Sequence, residues 1–339
     1  MDTPAAGLRE RVAAFLGEAS GARRVEVTRW ERLSGGAIQE NVAVEARLEG
    51  GSHPGTHLWV VRCDAPSSVA VSRSRSEEFA LLQVAHAAGV RVPRPLWLCD
   101  SGSPGFFVME HVSGVAAGHR LVKDDGLVPD RPRLAADLGH DLARLHSVSP
   151  PQAALSFLGE APSHPALERV AAYRAGLDGL GTAGVNPVLE WGLRWCERLA
   201  PEPRDCVLVH RDYRTGNYLV HAGRLAAVLD WEFAGWGDPL EDIGWLFARC
   251  WRFGRGDRVA GGVGPAQAFL EAYREASGNA VTETETLYWQ VMAHVRWAVI
   301  ALQQAERHRS GAQSSLELAL TAHIVPELEW EILELTKGN

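Results

Sequence analysis

The sequence is short of lysine, of paired cysteines and of long apolar runs, and each shortage narrows what the protein can be. Lys123 and Lys337 are its only lysines. The five cysteines form no C-x-x-C pair, which argues against a zinc site and favours reduced thiols. No apolar run approaches the roughly 20 residues that cross a bilayer, and charges interrupt the first turns, unlike a signal peptide. We therefore expect a cytoplasmic protein without a membrane partner.

The chain also lacks an excess of basic charge. Its formal net charge is -8, whereas a sequence-independent nucleic-acid binder needs a basic face. We therefore expect no nucleic-acid partner. Most of the acidic excess follows residue 113. That distribution would suit a cationic substrate, or it is an ordinary solvated surface, and the sequence leaves both interpretations open.

The periodicity of apolar residues predicts a strand-rich first third and a helix-rich remainder. The elements predicted in the first third are a helix from Thr3, strands at 25–29, 43–48, 58–62 and 106–109, a helix at 77–88 and a proline break at 92–95. Those predicted afterwards are a helix around 134–145, a strand at 206–209, a hairpin turning at Ala222-Gly223 and a helical tail from about Thr286. This order predicts an α+β protein whose N-terminal lobe spans 1–110 and whose C-terminal lobe spans 111–339.

The stretch from Val209 to Glu232 carries the strongest chemical signal. It holds the segment 210–212 (His-Arg-Asp), then Asn217, then Asp230 after the hairpin. Phosphoryl transfer needs a carboxylate to orient or deprotonate the attacking hydroxyl, and oxygen ligands for magnesium. Asp212 can be the catalytic carboxylate, and Asn217 and Asp230 can be the metal ligands. The alternative is a polar loop with a buried histidine and surface acids.

These residues resemble the aminoglycoside phosphotransferase family, in particular the branch that resembles the kinase-like part of acyl-CoA dehydrogenase fusion proteins. The resemblance rests on 210–217, on Leu229-Asp230-Trp231-Glu232 and on Gly237-Asp238-Pro239-Leu240-Glu241-Asp242, with further likeness over most of the chain. It implies a bilobal protein-kinase-like fold whose lobes clamp a nucleotide. It also implies ATP or GTP as phosphoryl donor, Mg²⁺ as cofactor and a hydroxylated small molecule as acceptor.

The resemblance also implies roles for residues outside the catalytic loop. Asp242 matches the acid that braces the loop from the following helix. The segment 109–112 resembles the hinge, where backbone groups of Glu110 and Val112 would meet the adenine edge. Ser34, Gly35 and Gly36 lie where a loop should cover the phosphates, although the glycine pattern typical of such loops is absent.

The sequence departs from the family where a strand lysine usually binds the nucleotide phosphates. The matching position is Arg62. Arginine is permanently charged and presents a planar fork to phosphate, so it can replace the lysine. Its expected carboxylate partner is Glu78, with Glu77 as the alternative.

Other readings remain open at this stage. A protein serine/threonine kinase or a nucleotide-binding pseudokinase scaffold would share much of this pattern. The tryptophans at 231, 236, 245 and 251 either line a substrate pocket or fill the core. The helix near 287–309 carries His294, Arg296 and further basic residues, which form either a stripe that binds an acidic acceptor or a solvated face.

Overall fold

A computed structural model describes residues 3–33, 40–64, 73–102 and 104–338 of the chain. The strands in these residues are β1 (Arg24–Arg32), β2 (Glu40–Glu49), β3 (Gly55–Cys63), β4 (Pro95–Cys99), β5 (Phe106–Glu110), β6 (Val207–Val209), β7 (Tyr218–His221), β8 (Arg224–Val228) and β9 (Gly235–Gly237). The helices are α1 (Thr3–Ser20), α2 (Arg75–Ala87), α3 (Gly118–Lys123), α4 (Arg131–Leu145), α5 (Pro165–Asp178), α6 (Pro187–Arg198), α7 (Pro239–Phe247), α8 (Ala266–Ser277), α9 (Leu287–Arg309), α10 (Leu316–Thr321) and α11 (Val325–Leu335).

The chain forms two compact units, and each unit is built from three separate segments of the sequence. The first unit consists of Met1–Ala87, Arg91–Ser113 and Leu229–Phe233, and the second of Ala88–Val90, Gly114–Val228 and Ala234–Asn339. The segment after β8, which contains Asp230, therefore belongs to the first unit. The division into lobes at 110 and 111 stays a prediction.

The first unit is built on an antiparallel sheet with strand order β1-β2-β3-β5-β4. The apolar residues of β2 at alternate positions, Val42, Val44, Ala46 and Leu48, are all buried, because successive strand residues face opposite sides. They join a core with Val12 and Leu16 of α1 and with residues of β3 and β5. The predicted opening helix and the four predicted strands are confirmed, and each strand is longer than predicted.

One strand of the first unit was missed, as was the short strand β9 of the second. The segment 92–95 was interpreted as a break, yet β4 begins at Pro95 and pairs with β5 at the edge of the sheet. Proline lacks the N–H that a central strand needs, so it is tolerated at the first residue of an edge strand. The two prolines thus mark where this edge strand begins rather than exclude it.

The second unit is mostly helical, as predicted. The leucines of α4 at helical spacing, Leu134, Leu138, Leu142 and Leu145, are fully buried. Strands β7 and β8 form the predicted hairpin, with His221 opposite Arg224. Its two central residues, Ala222 and Gly223, both have positive φ (48° and 75°), as the favoured two-residue hairpin turn requires. The conformation of Ala222 and Gly223 therefore fixes where β8 begins. It also fixes the position of the chain at the end of β8, shortly before Asp230.

Helices α4 and α8 approach closely at Gly139, and this contact generates a prediction. A Cβ at Gly139 would lie 2.2 Å from the backbone oxygen of Phe269, so the helices would have to separate. We expect Gly139→Ala to lower the stability of the second unit by about 1–3 kcal/mol. The control is Gly7→Ala in α1, where a Cβ would meet no atom within 4 Å and helix propensity should favour alanine. Thermal unfolding of both variants checks this, and equal melting temperatures would contradict it.

Candidate active site

The loop that carries the catalytic candidate follows β6 and is held by one buried carboxylate. Asp242 in α7 accepts hydrogen bonds from the backbone N–H of His210 at Oδ2 and of Arg211 at Oδ1, both at 2.7 Å. Arg211 has a φ of 63°, a left-handed conformation that costs free energy in a non-glycine residue. The two bonds to Asp242 stabilise that conformation, which is the bracing that the resemblance implied.

Asp242 is itself anchored by two other helices. His146, which follows α4, places Nε2 3.2 Å from Asp242 Oδ2, and its Nδ1 lies 2.9 Å from the hydroxyl of Tyr273 in α8. Asp242 is fully buried, and burial acts to raise the pKa of its carboxyl. The bond and charge of His146, with the His210 contacts, outweigh burial and hold that pKa below its ordinary value.

Asp212 is fixed through both of its carboxylate oxygens. Oδ1 accepts from Trp245 Nε1 at 2.9 Å and from Arg214 Nε at 3.1 Å, and Oδ2 accepts from Asn217 Nδ2. The residue is 9% exposed, and burial acts to raise its pKa. The charges of Arg214 and Arg296 and the indole bond outweigh burial and lower the pKa. Asp212 is therefore an ionised carboxylate with a fixed orientation.

Asn217 lies beside Asp212 in the second unit. Its side-chain nitrogen donates to the backbone oxygen of Asp212 at 3.1 Å as well as to the carboxylate. Because the nitrogen is committed to Asp212, the side-chain oxygen is the atom that can ligate a metal. An amide oxygen suits a hard cation such as Mg²⁺.

The first unit holds a buried arginine of defined orientation. Arg62, at 5% exposure, places Nε 2.7 Å from Glu78 Oε1, which is the pair expected from the sequence. Burial acts to lower the pKa of the guanidinium, but Glu78 and then Asp230 raise it overall. Glu78 also pairs with Arg75, three residues earlier in α2. The guanidinium of Arg62 is thus permanently charged, and its pairing with Glu78 sets its orientation.

Asp230 belongs to the same unit and completes this cluster. Its Oδ1 lies 3.3 Å from Arg62 Nη1, and its side chain is 38% exposed. Its φ of 61° is again left-handed in a non-glycine residue, a strain typical of functional positions. A half-buried carboxylate offers the kind of oxygen ligand that Mg²⁺ prefers.

The structure says less about the other residues that were predicted to bind the nucleotide. Glu110 ends β5, and its backbone N–H donates to the carbonyl of Arg94 at 2.9 Å. Val112 follows in a segment without regular structure. Ser34, Gly35 and Gly36 lie outside the described residues. The roles of all these residues stay predictions.

The structure supports neither interpretation of the helix at 287–309, a stripe that binds an acidic acceptor or a solvated face, for His294 and Arg296. His294 is fully buried in α9, and burial lowers its pKa to about 4, so it is neutral near pH 7. Arg296 is 8% exposed and turns inward, where it donates to the carbonyl of Arg211. The sequence pattern recorded charge but not which face the helix buries.

Sequence reasoning also missed partners of the candidate site residues. Arg75 could have been found, because residues three apart on a helix are neighbours. Arg214, two positions after Asp212, could have been noticed in the same loop. Trp245 lies 33 residues after Asp212, and no local pattern connects them.

Trp236 is buried at 4% and contributes to the wall of an open pocket of about 600 Å³ with Pro150, Pro151 and Leu155.

Comparison with known proteins identifies the family to which this chain belongs. Residues 29–278 match the family model described as the phosphotransferase enzyme family. Since the match covers most of the chain, the chain belongs to this family, and the resemblance seen in the sequence is confirmed. The family places the chain among phosphotransferase enzymes. Within the described residues, no helix is long and apolar enough to cross a membrane.

Curated relatives confirm the likeness to the acyl-CoA dehydrogenase branch. Acyl-CoA dehydrogenase family member 11 of Rattus norvegicus is 26% identical over 303 residues, which cover 84% of this chain and 38% of that protein. Family member 10 of Mus musculus is 30% identical over 188 residues, which cover 52% of this chain and 16% of that protein. The chain thus spans well under half the length of these relatives.

Solved structures share the fold over nearly the whole chain. A candidate aminoglycoside phosphotransferase from Ralstonia eutropha has a TM-score of 0.75 at 19% identity, over 97% of this chain and 98% of that one. A mutant of the aminoglycoside phosphotransferase APH(4)-Ia, in complex with AMP-PNP and hygromycin B, has a TM-score of 0.65 at 16% identity, over 97% and 99%. The predicted protein-kinase-like α+β fold is confirmed.

The bracing of the catalytic loop generates a second prediction. Asp242→Asn would put an amide nitrogen against one backbone N–H, so a buried donor would lose its acceptor. We expect a loss of about 1–3 kcal/mol in the free energy of unfolding at pH 7, measured by urea denaturation. The control is Asp205→Asn, the same change at an exposed position before β6, which should be close to neutral.

The pH dependence of that loss has a definite sign. The folded-state pKa of Asp242 lies below its ordinary value of 3.8. Its stabilising contribution is therefore fully present above pH 3.8 and is lost as pH falls through the lowered value. The stability difference between the wild type and Asp242→Asn should narrow in that acid range. A difference that widens towards low pH would contradict the assignment.

Proposed function

We propose that this protein transfers the γ-phosphoryl group of ATP or GTP to a hydroxyl of a small molecule, with Mg²⁺ as cofactor. The observation that carries the proposal is the fixed, ionised carboxylate of Asp212, held through both oxygens in a loop that Asp242 braces. Phosphoryl transfer depends mainly on positioning and electrostatics, and this arrangement supplies both on the acceptor side.

Asp212 would orient the acceptor hydroxyl and receive its proton. In the transfer, the bond between the acceptor oxygen and the γ-phosphorus forms while the bond to the β,γ-bridging oxygen breaks, which releases the nucleoside diphosphate. Because the pKa of Asp212 is lowered, the carboxylate is a weak base. We therefore place the proton transfer late, after the hydroxyl oxygen has begun to bond to phosphorus.

Residues of the first unit, together with Asn217, would bind the donor. Arg62 is charged and oriented by Glu78, and a guanidinium can make two parallel bonds to phosphate oxygens. Asp230 and Asn217 would hold Mg²⁺ through their side-chain oxygens. When bound, Mg²⁺ neutralises charge on the phosphate oxygens and stabilises the leaving group. The backbone of Glu110 and Val112, and the segment Ser34 to Gly36, would complete the nucleotide site.

Related structures support a nucleotide donor and a small-molecule acceptor. The APH(4)-Ia structure holds AMP-PNP and hygromycin B, and a spectinomycin phosphotransferase structure holds ADP and spectinomycin. The segment after Asp230 also disfavours a protein kinase. Helix α7 begins at Pro239, nine positions later, which leaves little chain for a peptide-docking segment. The pseudokinase alternative would leave the bonded set of Asp212, Asn217 and Asp242 without a use.

The test is a phosphate-transfer screen with γ-labelled ATP and GTP, Mg²⁺ and a panel of hydroxylated small molecules. Asp212→Asn keeps the size of the side chain and removes its charge. We expect it to lower kcat by about 100-fold or more and to leave nucleotide affinity nearly unchanged. A variant that keeps near-normal kcat would exclude Asp212 as the catalytic carboxylate. Magnesium-dependent nucleotide binding without transfer to any acceptor would favour the pseudokinase.

A separate prediction concerns Arg62. Arg62→Ala should weaken binding of the triphosphate more than binding of adenosine, because the guanidinium would touch only the phosphates. Arg62→Lys should keep part of the activity, since it retains the charge and loses the fork. The control is Arg47→Ala on β2, which removes an exposed guanidinium from the same sheet. Isothermal titration calorimetry gives both affinities, and an unchanged ratio in Arg62→Ala would refute the role.

A further inference from the structure

We propose that Trp245 is a positioning residue for the catalytic carboxylate, and that Arg296 fixes its indole ring for that purpose. The inference rests on the proposed function of Asp212. Trp245 lies in α7 and is 3% exposed. Its Nε1 donates to Asp212 Oδ1 at 2.9 Å, which is a well-formed hydrogen bond.

Other buried tryptophans show that this bond is not a by-product of packing. The indole nitrogens of Trp195, Trp251 and Trp289 are buried and make no hydrogen bond to the described residues. A buried ring in this unit is thus accommodated without an acceptor for its N–H. The N–H of Trp245 instead meets the carboxylate that the chemistry needs.

Arg296 connects this indole to the backbone of the catalytic loop. Its guanidinium lies 4.3 Å from the centre of the Trp245 ring, a cation–π contact, and its Nη1 donates to the carbonyl of Arg211. A cation above the ring draws electron density from the indole, which makes the N–H a stronger donor. Helix α9 therefore fixes both the ring and the strained residue that precedes Asp212.

The indole of Trp245 suits this role better than the guanidinium of Arg214, which donates to the same carboxylate oxygen. Arg214 also bonds Oδ1, but its side chain is 26% exposed, so solvent competes for it. The indole N–H is a donor only and does not titrate. Trp245 can therefore hold the plane of the carboxylate and favour its ionised form without taking part in proton transfer.

The test is Trp245→Phe, which keeps an aromatic ring and removes the N–H. The matched control is Trp289→Phe, because Trp289 is equally buried at 2% in α9 and its N–H has no acceptor among the described residues. We expect Trp245→Phe to lower kcat by about 10-fold, as loss of a supporting hydrogen bond does elsewhere, with the nucleotide KM within about twofold. Trp289→Phe should keep kcat.

The split between kcat and the nucleotide KM separates positioning from simple loss of packing. Loss of packing alone should affect Trp245→Phe and Trp289→Phe alike, whereas loss of the hydrogen bond to Asp212 should lower kcat in Trp245→Phe alone. An unchanged kcat in Trp245→Phe, or an equal loss of kcat in Trp289→Phe, would overturn the proposal.

A spectroscopic measurement keeps the inference testable if Trp245→Phe folds poorly or no acceptor is known. In ¹H–¹⁵N spectra of the full chain, the assigned indole N–H signal of Trp245 should shift in Asp212→Asn, whereas that of Trp289 should not. Failure of the proposed function would leave this shift in place, since the bond needs no substrate. An unshifted Trp245 signal would show that the indole does not sense the carboxylate, and would overturn the inference.

Discussion

The two hydrogen bonds that Asp242 accepts from the backbone of His210 and Arg211 are the constraint on which the orientation of Asp212 depends. They hold Arg211 in a left-handed conformation that the residue would not adopt alone. The next residue is Asp212, so the direction of its side chain follows from that backbone. The carboxylate of Asp242 can serve because His146 keeps it ionised against the effect of burial and holds it in place. The helical core thereby sets the geometry of the loop.

In the first unit, ion pairs rather than hydrogen bonds to the backbone orient the side chain of Arg62. Glu78 is almost completely buried and pairs with both Arg62 and Arg75. Removing one partner would leave uncompensated charge in a buried place, which is costly. The network therefore fixes the guanidinium of Arg62 through contacts within the protein. In both units a candidate site residue is oriented by its neighbours, which would lower the ordering cost of binding a ligand.

How much the sequence could predict depended on how local each interaction is. The catalytic loop and the hairpin are encoded within about twenty residues, so Asp212, Asn217 and the turn at Ala222 were all recognisable. Strand β4 was missed because proline is read as a break, although an edge strand accepts it at its start. The bond between Trp245 and Asp212 joins two elements that only the packing of α7 brings together. The sequence left the role of the basic residues in α9 open because their charges do not show which face of the helix is buried, and His294 and Arg296 lie on the buried side.

The scarcity of lysine gives the departure at position 62 a physical meaning. Arg62 places one nitrogen on Glu78 and another within 3.3 Å of Asp230, and its Nη1 also reaches Asn41 Oδ1 at 3.4 Å. A lysine presents a single nitrogen on a flexible stem and loses its charge more readily when buried. The guanidinium keeps its charge at 5% exposure because two carboxylates raise its pKa. Arg62 thus meets Glu78 through Nε, and Asn41 and Asp230 through Nη1, whereas a lysine would have to reach all three acceptors from one nitrogen.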